Sequence, residues 1–169
     1  ILVRQNHKRV ILADCDGQMN LTRFYLPEFD PAVNYSMASL LMGDGEPVWE
    51  DNLVPLEPGL NLIPGSPDLY NLDLDAIKDG VSAPENVRNF VDCAREDDGA
   101  DFFIFDCPPG FTTASVGALM AADEVVIPML VDGFSFAGTQ DMAQQISNLR
   151  RANQGVRIAG VLITQWHNS

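Results

Sequence analysis

Positive charge is scarce in this sequence: ten Lys and Arg stand against 24 Asp and Glu, for a formal net charge of −14 at pH 7. Such a chain is repelled by nucleic acid unless a basic patch is gathered on one face or supplied by residues outside 1–169. The one close basic cluster is Arg150-Arg151 with Arg157 nearby, a placement that cations closing a helix also take because they complement its dipole. Lysine is scarcer still, with Lys8 and Lys78 alone, and neither lies in a glycine loop. Cysteine is limited to Cys15, Cys93 and Cys107, odd in number and without metal-ligand spacing. That usage excludes a disulfide framework and fits buried thiols in a reducing compartment. No apolar run approaches the roughly 18 residues that span a membrane, and no signal-peptide pattern is seen at residue 1. The expected location is therefore cytoplasmic.

What is present is an ordinary globular balance, 46% hydrophobic and 20% charged, over 169 residues. That length builds one domain with a full core and is short for two. The first residue is Ile rather than Met, and the last apolar run, Val161-Leu162-Ile163, comes close to residue 169. The expectation is a single α/β domain over 1–169 that is part of a longer protein.

The chain is organised around Asp101-Phe102-Phe103-Ile104-Phe105-Asp106-Cys107-Pro108-Pro109-Gly110. Four large apolar residues in succession, without alternation, predict a strand covered on both faces, as in a parallel sheet flanked by helices. The two prolines end the ladder, so Asp106 is delivered to the carboxyl end of the strand, where open parallel sheets bind ligands. A second short strand, Val10 to Ala13, also ends in acids, Asp14 and Asp16. Those two residues are equally suited to an Asx-turn and the cap of a helix near Leu21-Thr22.

Around these strands the pattern predicts a helix tail before Arg9, a helix over 33–42 stopped by Gly43, and a strand at Leu60–Ile63. A solvated acidic segment follows over 68–79, then a helix from Pro84 to about Arg95 and another from Thr113 to Ala122. A strand at Glu124–Pro128, a loop over 134–138, a helix over 139–153 and a last strand at Ile158–Thr164 complete the chain. Strands alternating with helices predict a doubly wound, mostly parallel sheet.

Three carboxylates at two strand ends are hard to explain as independent turn residues if those strands are neighbours. Two carboxylates ~5 Å apart repel by about 3 kcal/mol at an effective dielectric of 20. A bound cation relieves this, and Mg²⁺ beside phosphates, holding one or two carboxylates and several waters, suits the set. The chemistry this points to is phosphoryl transfer.

At this point the sequence resembles a known family. Val10 to Thr22 is similar to the strand and D-x-D-P-Q-G-N-x-T segment of the ParA/Soj partition ATPases, which belong with MinD to the deviant Walker-A P-loop NTPases. Leu60 to Gly65 resembles that family's GLDLIPAN strand, Asp101 to Gly110 its Walker-B stretch, and Ala121 to Pro128 its AADEVIIPV strand. Phe134 to Gln140 and Ile158 to Thr164 resemble its YFALEG loop and IAGVLLT strand. The resemblance implies that Asp106 is the Walker-B acid of the Mg²⁺ shell, that Asp14 supports that shell and that Asp16 polarises the attacking water. It implies that Pro108, Pro109 and Gly110 begin the loop that senses the γ-phosphate. It further implies ATP and Mg as cofactors, an ATP-bound homodimer, nonspecific DNA binding and a centromere-binding ParB-like partner.

Three departures stand out. Gly17 replaces the family's usual Pro, Met19 its usual Gly or Cys, and no K-G-G-x-G-K-T loop occurs between residues 1 and 169. An alternative is therefore a degenerate relative that no longer hydrolyses nucleotide and serves as a binding or regulatory module. A receiver-like phosphoacceptor domain is a third reading, opposed by the family spacing, since Asp106 lies about 90 residues beyond Asp16 where receivers place about 40.

Overall fold

The structure is a computed structural model, which describes residues 1–43, 48–79, 83–130, 140, 142–144, 146–148 and 151–165, with backbone alone for 75–79. It divides into two compact units, Ile1–Ala118 and Leu119–Ser169. A short helix α1 (Leu2–Asn6) closes at His7, whose left-handed conformation (φ 52°) stops it, and leads into β1 (Val10–Asp14). After α2 (Asn20–Tyr25) comes α3 (Met37–Met42), shorter than the predicted 33–42. It starts at Ser36 because Ser36 and Ser39 form a reciprocal capping box, and it stops at Gly43 (φ 78°), a left-handed position where glycine carries no steric penalty.

A single 3₁₀ turn (Trp49–Asn52) precedes β2 (Val54–Glu57) and β3 (Leu60–Ile63), an antiparallel hairpin. The sequence reading finds β3 and misses β2, whose apolar residues are interrupted by Pro55. Then follow α4 (Asp68–Asp79), α5 (Glu85–Glu96) and β4 (Phe102–Asp106). The solvated segment expected over 68–79 is in fact helix α4; its start is fixed by Ser66 Oγ, which accepts the Asp68 N–H at 3.1 Å, and by Leu69, which is buried. Helix α5 falls where it is predicted and buries Val87, Phe90, Val91 and Ala94 along one face.

The first unit's sheet has the order β2-β3-β1-β4. Strand β1, the short apolar strand expected at Val10 to Ala13, lies in the middle, parallel to both β3 and β4, and its apolar run is buried: Val10, Ile11 and Ala13 are at most 3% exposed. Strand β4 corrects the expectation of a strand covered on both faces. It is the edge of this sheet, and Phe102 and Ile104 are 42% and 44% exposed. Its other face is half-buried, with Phe103 set edge-on against Phe90 of α5 at 6.5 Å between ring centroids.

Helix α6 (Thr113–Ala121) follows β4. In the second unit β5 (Glu124–Leu130) and β6 (Arg157–Thr164) pair in parallel as a two-stranded sheet. Asn153 ties the turn before β6 by donating to the Leu119 and Ala122 carbonyls at 3.0 and 2.8 Å. The loop over 134–138 lies outside the described residues, as does part of the helix over 139–153; residues 142–144 and 146–148 are helical and Ile146 is buried. Arg150 also lies outside them. No described helix is long and apolar enough to cross a membrane.

Candidate functional site

The register of β1 on β4 sets Asp14 opposite Asp106 at the last rung of the ladder. One residue further, the Cys15 N–H still bonds the Asp106 carbonyl at 2.9 Å. The two acid-bearing strand ends are therefore neighbours, which is the arrangement that the carboxylate argument requires.

The three acids are in different situations. Asp14 is fully buried and its carboxylate is saturated by local donors. Its Oδ2 accepts the Thr22 N–H at 2.8 Å and the Thr22 hydroxyl at 2.6 Å, and its Oδ1 accepts the Asp16 N–H at 3.1 Å. A buried carboxylate is tolerated only with such a set of bonds. Thr22 Oγ1 in turn accepts the Gly65 N–H at 2.8 Å, so Asp14 joins the end of β1, the first turn of α2 and the exit of β3. Gly65 is obligatory for this closeness: a Cβ there would meet the Asp16 carbonyl oxygen at 2.9 Å and Asp14 Cγ at 3.0 Å.

Asp16 is half-buried and forms an Asx-turn, its Oδ1 accepting the Gln18 N–H at 2.9 Å, while its carbonyl accepts the Met19 N–H at 2.9 Å. The Asx-turn anticipated for these acids is realised by Asp16, whereas the N-cap of α2 is Met19, with no side-chain cap bond. Met19 closes the turn in the left-handed region (φ 59°) with its side chain buried. That conformation costs an ordinary residue roughly 1–2 kcal/mol and explains why a glycine suits the position.

Asp106 is exposed at the strand end, and its carboxyl is raised above the usual range, by burial first and then by the charges of Asp14 and Asp16. Asp106 therefore senses the other two acids. Among the described residues no three acidic, His or Cys side chains converge closely enough to chelate a metal unaided. A hard cation here would have to complete its shell from water and phosphate, the habit of Mg²⁺, and the surplus of carboxylate oxygen fits it.

Gly17, where the resembling family has Pro, has a local reason. The Tyr70 ring of α4 lies across it, so that a Cβ would come within 2.7 Å of the ring, and the Gln18 amide donates to the Tyr70 hydroxyl. One turn further along the same face of α4, Asp73 Oδ1 accepts the Thr113 N–H at 2.7 Å, which fixes the entry into α6. Pro108 and Pro109 line a cavity of about 260 Å³ with Asp16, Gln18, Tyr70 and Thr112. Gly110 adopts φ 108°, and a Cβ would meet nothing. So Asp14, Asp16, Asp106, Pro108, Pro109 and Gly110 occupy contiguous positions at one end of the first unit.

Thr22, Gly65, Tyr70 and Asp73 are the contributors that sequence reasoning gives no role. Thr22 is the last residue of the quoted D-x-D segment, and that spacing is the signal that could have found it. Tyr70 and Asp73 are hidden by reading 68–79 as surface. The expectation of buried thiols holds for Cys15 and fails for Cys93 and Cys107, which are exposed on α5 and past the end of β4. Lys8 forms an ion pair with Asp101 at 3.3 Å; the Lys78 side chain lies outside the described residues.

A family model described as an AAA domain matches residues 1–158. The chromosome-partitioning ATPase Soj of Thermus thermophilus is 28% identical over 160 residues, which are 94% of this chain and 58% of that protein. The chain is similar to the solved structure of cobyrinic acid a,c-diamide synthase from Mycobacterium smegmatis with bound ATP analogue and magnesium, at 26% identity and TM-score 0.77, covering 95% of this chain and 64% of that one. It is also similar to a Cyanothece McdA(D38A)–ATP complex, at 26% identity and TM-score 0.75, covering 95% and 59%. The chain spans about three-fifths of the length of the Soj it matches.

Proposed function

Since the chain belongs to the AAA domain family and is of the ParA/Soj type, we propose that it is the core of a partition ATPase that hydrolyses ATP with Mg²⁺ and dimerises around the bound nucleotide. The observation that carries this reading is the pairing of Asp14 with Asp106 at the ends of adjacent parallel strands, with Asp16 two residues beyond. Support for the ligands comes from relatives solved with an ATP analogue and magnesium, or in an ATP complex.

Each residue has a task in this proposal. Asp106, whose carboxyl is raised by burial first and then by Asp14 and Asp16, would hold the hydration shell of a bound Mg²⁺. Asp14 would support that shell indirectly, because its bonds to Thr22 and to the Asp16 N–H hold the turn in place. Asp16 orients the water that attacks the γ-phosphate. Pro108, Pro109 and Gly110 start a loop that follows the γ-phosphate. When bound, Mg²⁺ neutralises the β- and γ-phosphate oxygens and steadies the leaving group.

DNA and a ParB-like protein are the proposed partners of the whole protein, with residues 1–169 forming one α/β portion of its nucleotide-hydrolase domain in the cytoplasm. Residues 1–169 carry a net charge of −14, so the DNA contacts are assigned to basic residues outside them. The test is ATP turnover and nucleotide binding by the full-length protein, with and without Mg²⁺, in the native sequence and in Asp106→Asn. Turnover that needs Mg²⁺ and falls in Asp106→Asn supports the reading; binding without turnover in the native protein supports instead a module that has lost hydrolysis.

A further inference from the structure

Beyond the acids, the same strand ends hold a pair of thiols. We propose that Cys15 and Cys107 form a reversible intrachain disulfide, a modification site that joins the end of β1 to the end of β4. The inference stands on the thiol pair and does not require the chain to be an ATPase.

Cys15 and Cys107 each directly follow a member of the last pair of the register, Asp14 and Asp106, and the Cys15 N–H bonds the Asp106 carbonyl at 2.9 Å, carrying the parallel pattern one residue further. The two thiols lie close enough for each to act on the other, which pushes the Cys15 thiol up and the Cys107 thiol down. Neighbouring strands run about 4.8 Å apart, inside the roughly 4.4–6.8 Å between Cα atoms that a disulfide bridges. The pair sits one residue past the ends of both strands. There the chain turns into the Asp16 loop on one side and Pro108-Pro109 on the other.

The two thiols are suited to different halves of the reaction. Cys107 is exposed, whereas Cys15 is buried and reaches the cavity of about 260 Å³ that it lines with Asp16, Tyr70 and Pro108. With a small-molecule disulfide such as glutathione disulfide as oxidant, Cys107 sulfur attacks one glutathione sulfur, the glutathione S–S bond breaks, and the departing glutathione thiolate takes up the Cys107 proton. Cys15 sulfur then attacks Cys107 sulfur, the mixed disulfide breaks, and the second glutathione thiolate takes up the Cys15 proton. Two cysteine thiols are oxidised and one glutathione disulfide is reduced to two glutathiones. The bond formed would lie beside the Asp16 turn and fix the spacing between the two acid-bearing strand ends. In a reducing cytoplasm the dithiol persists.

Each cysteine falls in its own tryptic peptide: Cys15 in Val10–Arg23, Cys93 in Asn89–Arg95 and Cys107 in Glu96–Arg150. The test is to incubate the folded chain with glutathione disulfide, unfold it in acid, block remaining thiols with N-ethylmaleimide and map the digest by mass. The expected result is a species joining Val10–Arg23 to Glu96–Arg150, two hydrogens lighter than their sum, and released by dithiothreitol. The Cys93 peptide should be recovered blocked or glutathionylated, and a Cys93→Ser chain should give the same crosslink within a monomer. Recovery of Val10–Arg23 with its thiol blocked, while Glu96–Arg150 is blocked or carries glutathione, would overturn the proposal. So would a crosslink joining two copies of the chain, seen as a dimer on a non-reducing gel.

Discussion

Asp14 and Asp106 face each other across the final rung of the β1–β4 ladder, yet only one of them is available for chemistry. The carboxylate of Asp14 is buried and saturated by Thr22 and the Asp16 N–H, while that of Asp106 is open to solvent and raised in pKa. One acid builds the site and the other is presented by it.

The raised pKa of Asp106 gives a pH dependence whose sign is fixed. Its folded-state value lies above the unfolded one, so between the two the native state binds more protons, and stability falls as pH rises through that window. The window opens near the ordinary Asp value of about 3.9. Asp106→Asn should therefore be more stable than the native sequence at neutral pH, with the gap closing as pH falls below about 4. Urea unfolding at pH 3 and pH 7 checks it, and an equal gap at both would contradict it. Mg²⁺ at ten times its Kd should stabilise the native sequence by about 1.4 kcal/mol and Asp106→Asn less.

Thr22→Val keeps the shape of the side chain and removes the hydroxyl that donates to Asp14 and accepts from Gly65. It leaves a buried carboxylate short of a donor, which should cost about 2–4 kcal/mol of unfolding free energy. Thr22→Ser, which keeps both bonds, should recover most of that. A loss below 1 kcal/mol for the valine variant in denaturant titration would show that the carboxylate finds another donor.

Gly17 and Tyr70 should be energetically coupled. A Cβ at Gly17 strikes the far end of the Tyr70 ring, which can swing away at the expense of its bond with Gln18. Gly17→Ala should thus cost roughly 1 kcal/mol in the native background and much less with Tyr70→Ala. Simple additivity of the two changes would contradict the contact.

Residues 1–169 contain no glycine-lysine phosphate loop, whose N–H groups and lysines would cradle the phosphates. Calorimetry on these residues alone should detect no nucleotide binding. Micromolar affinity would mean that the phosphates are held by groups other than such a loop.

Much of this is legible in the letters because it rests on local rules. The apolar run of Val10 to Ala13 announces a strand, the prolines after Asp106 announce where β4 ends, and α5 appears where Val87, Phe90, Val91 and Ala94 repeat at helical spacing. Less legible is whatever depends on a distant partner. The burial of β4 is overestimated because four apolar residues look alike at an edge and at a centre. Helix α4 is missed because Asp and Asn are poor helix formers, and its start is secured by Ser66 and Leu69. The need for Gly at position 17 follows from Tyr70, fifty-three residues away in the chain, which no spacing rule connects to it.

Hydrolysis of ATP by full-length protein carrying Asp16→Ala, compared with the native sequence in the presence of Mg²⁺, addresses the central claim most directly. The account predicts turnover reduced at least about 100-fold, the scale of losing a positioned base or water-orienting group, with nucleotide binding retained. Turnover unchanged by the substitution would contradict it and remove Asp16 from the reaction.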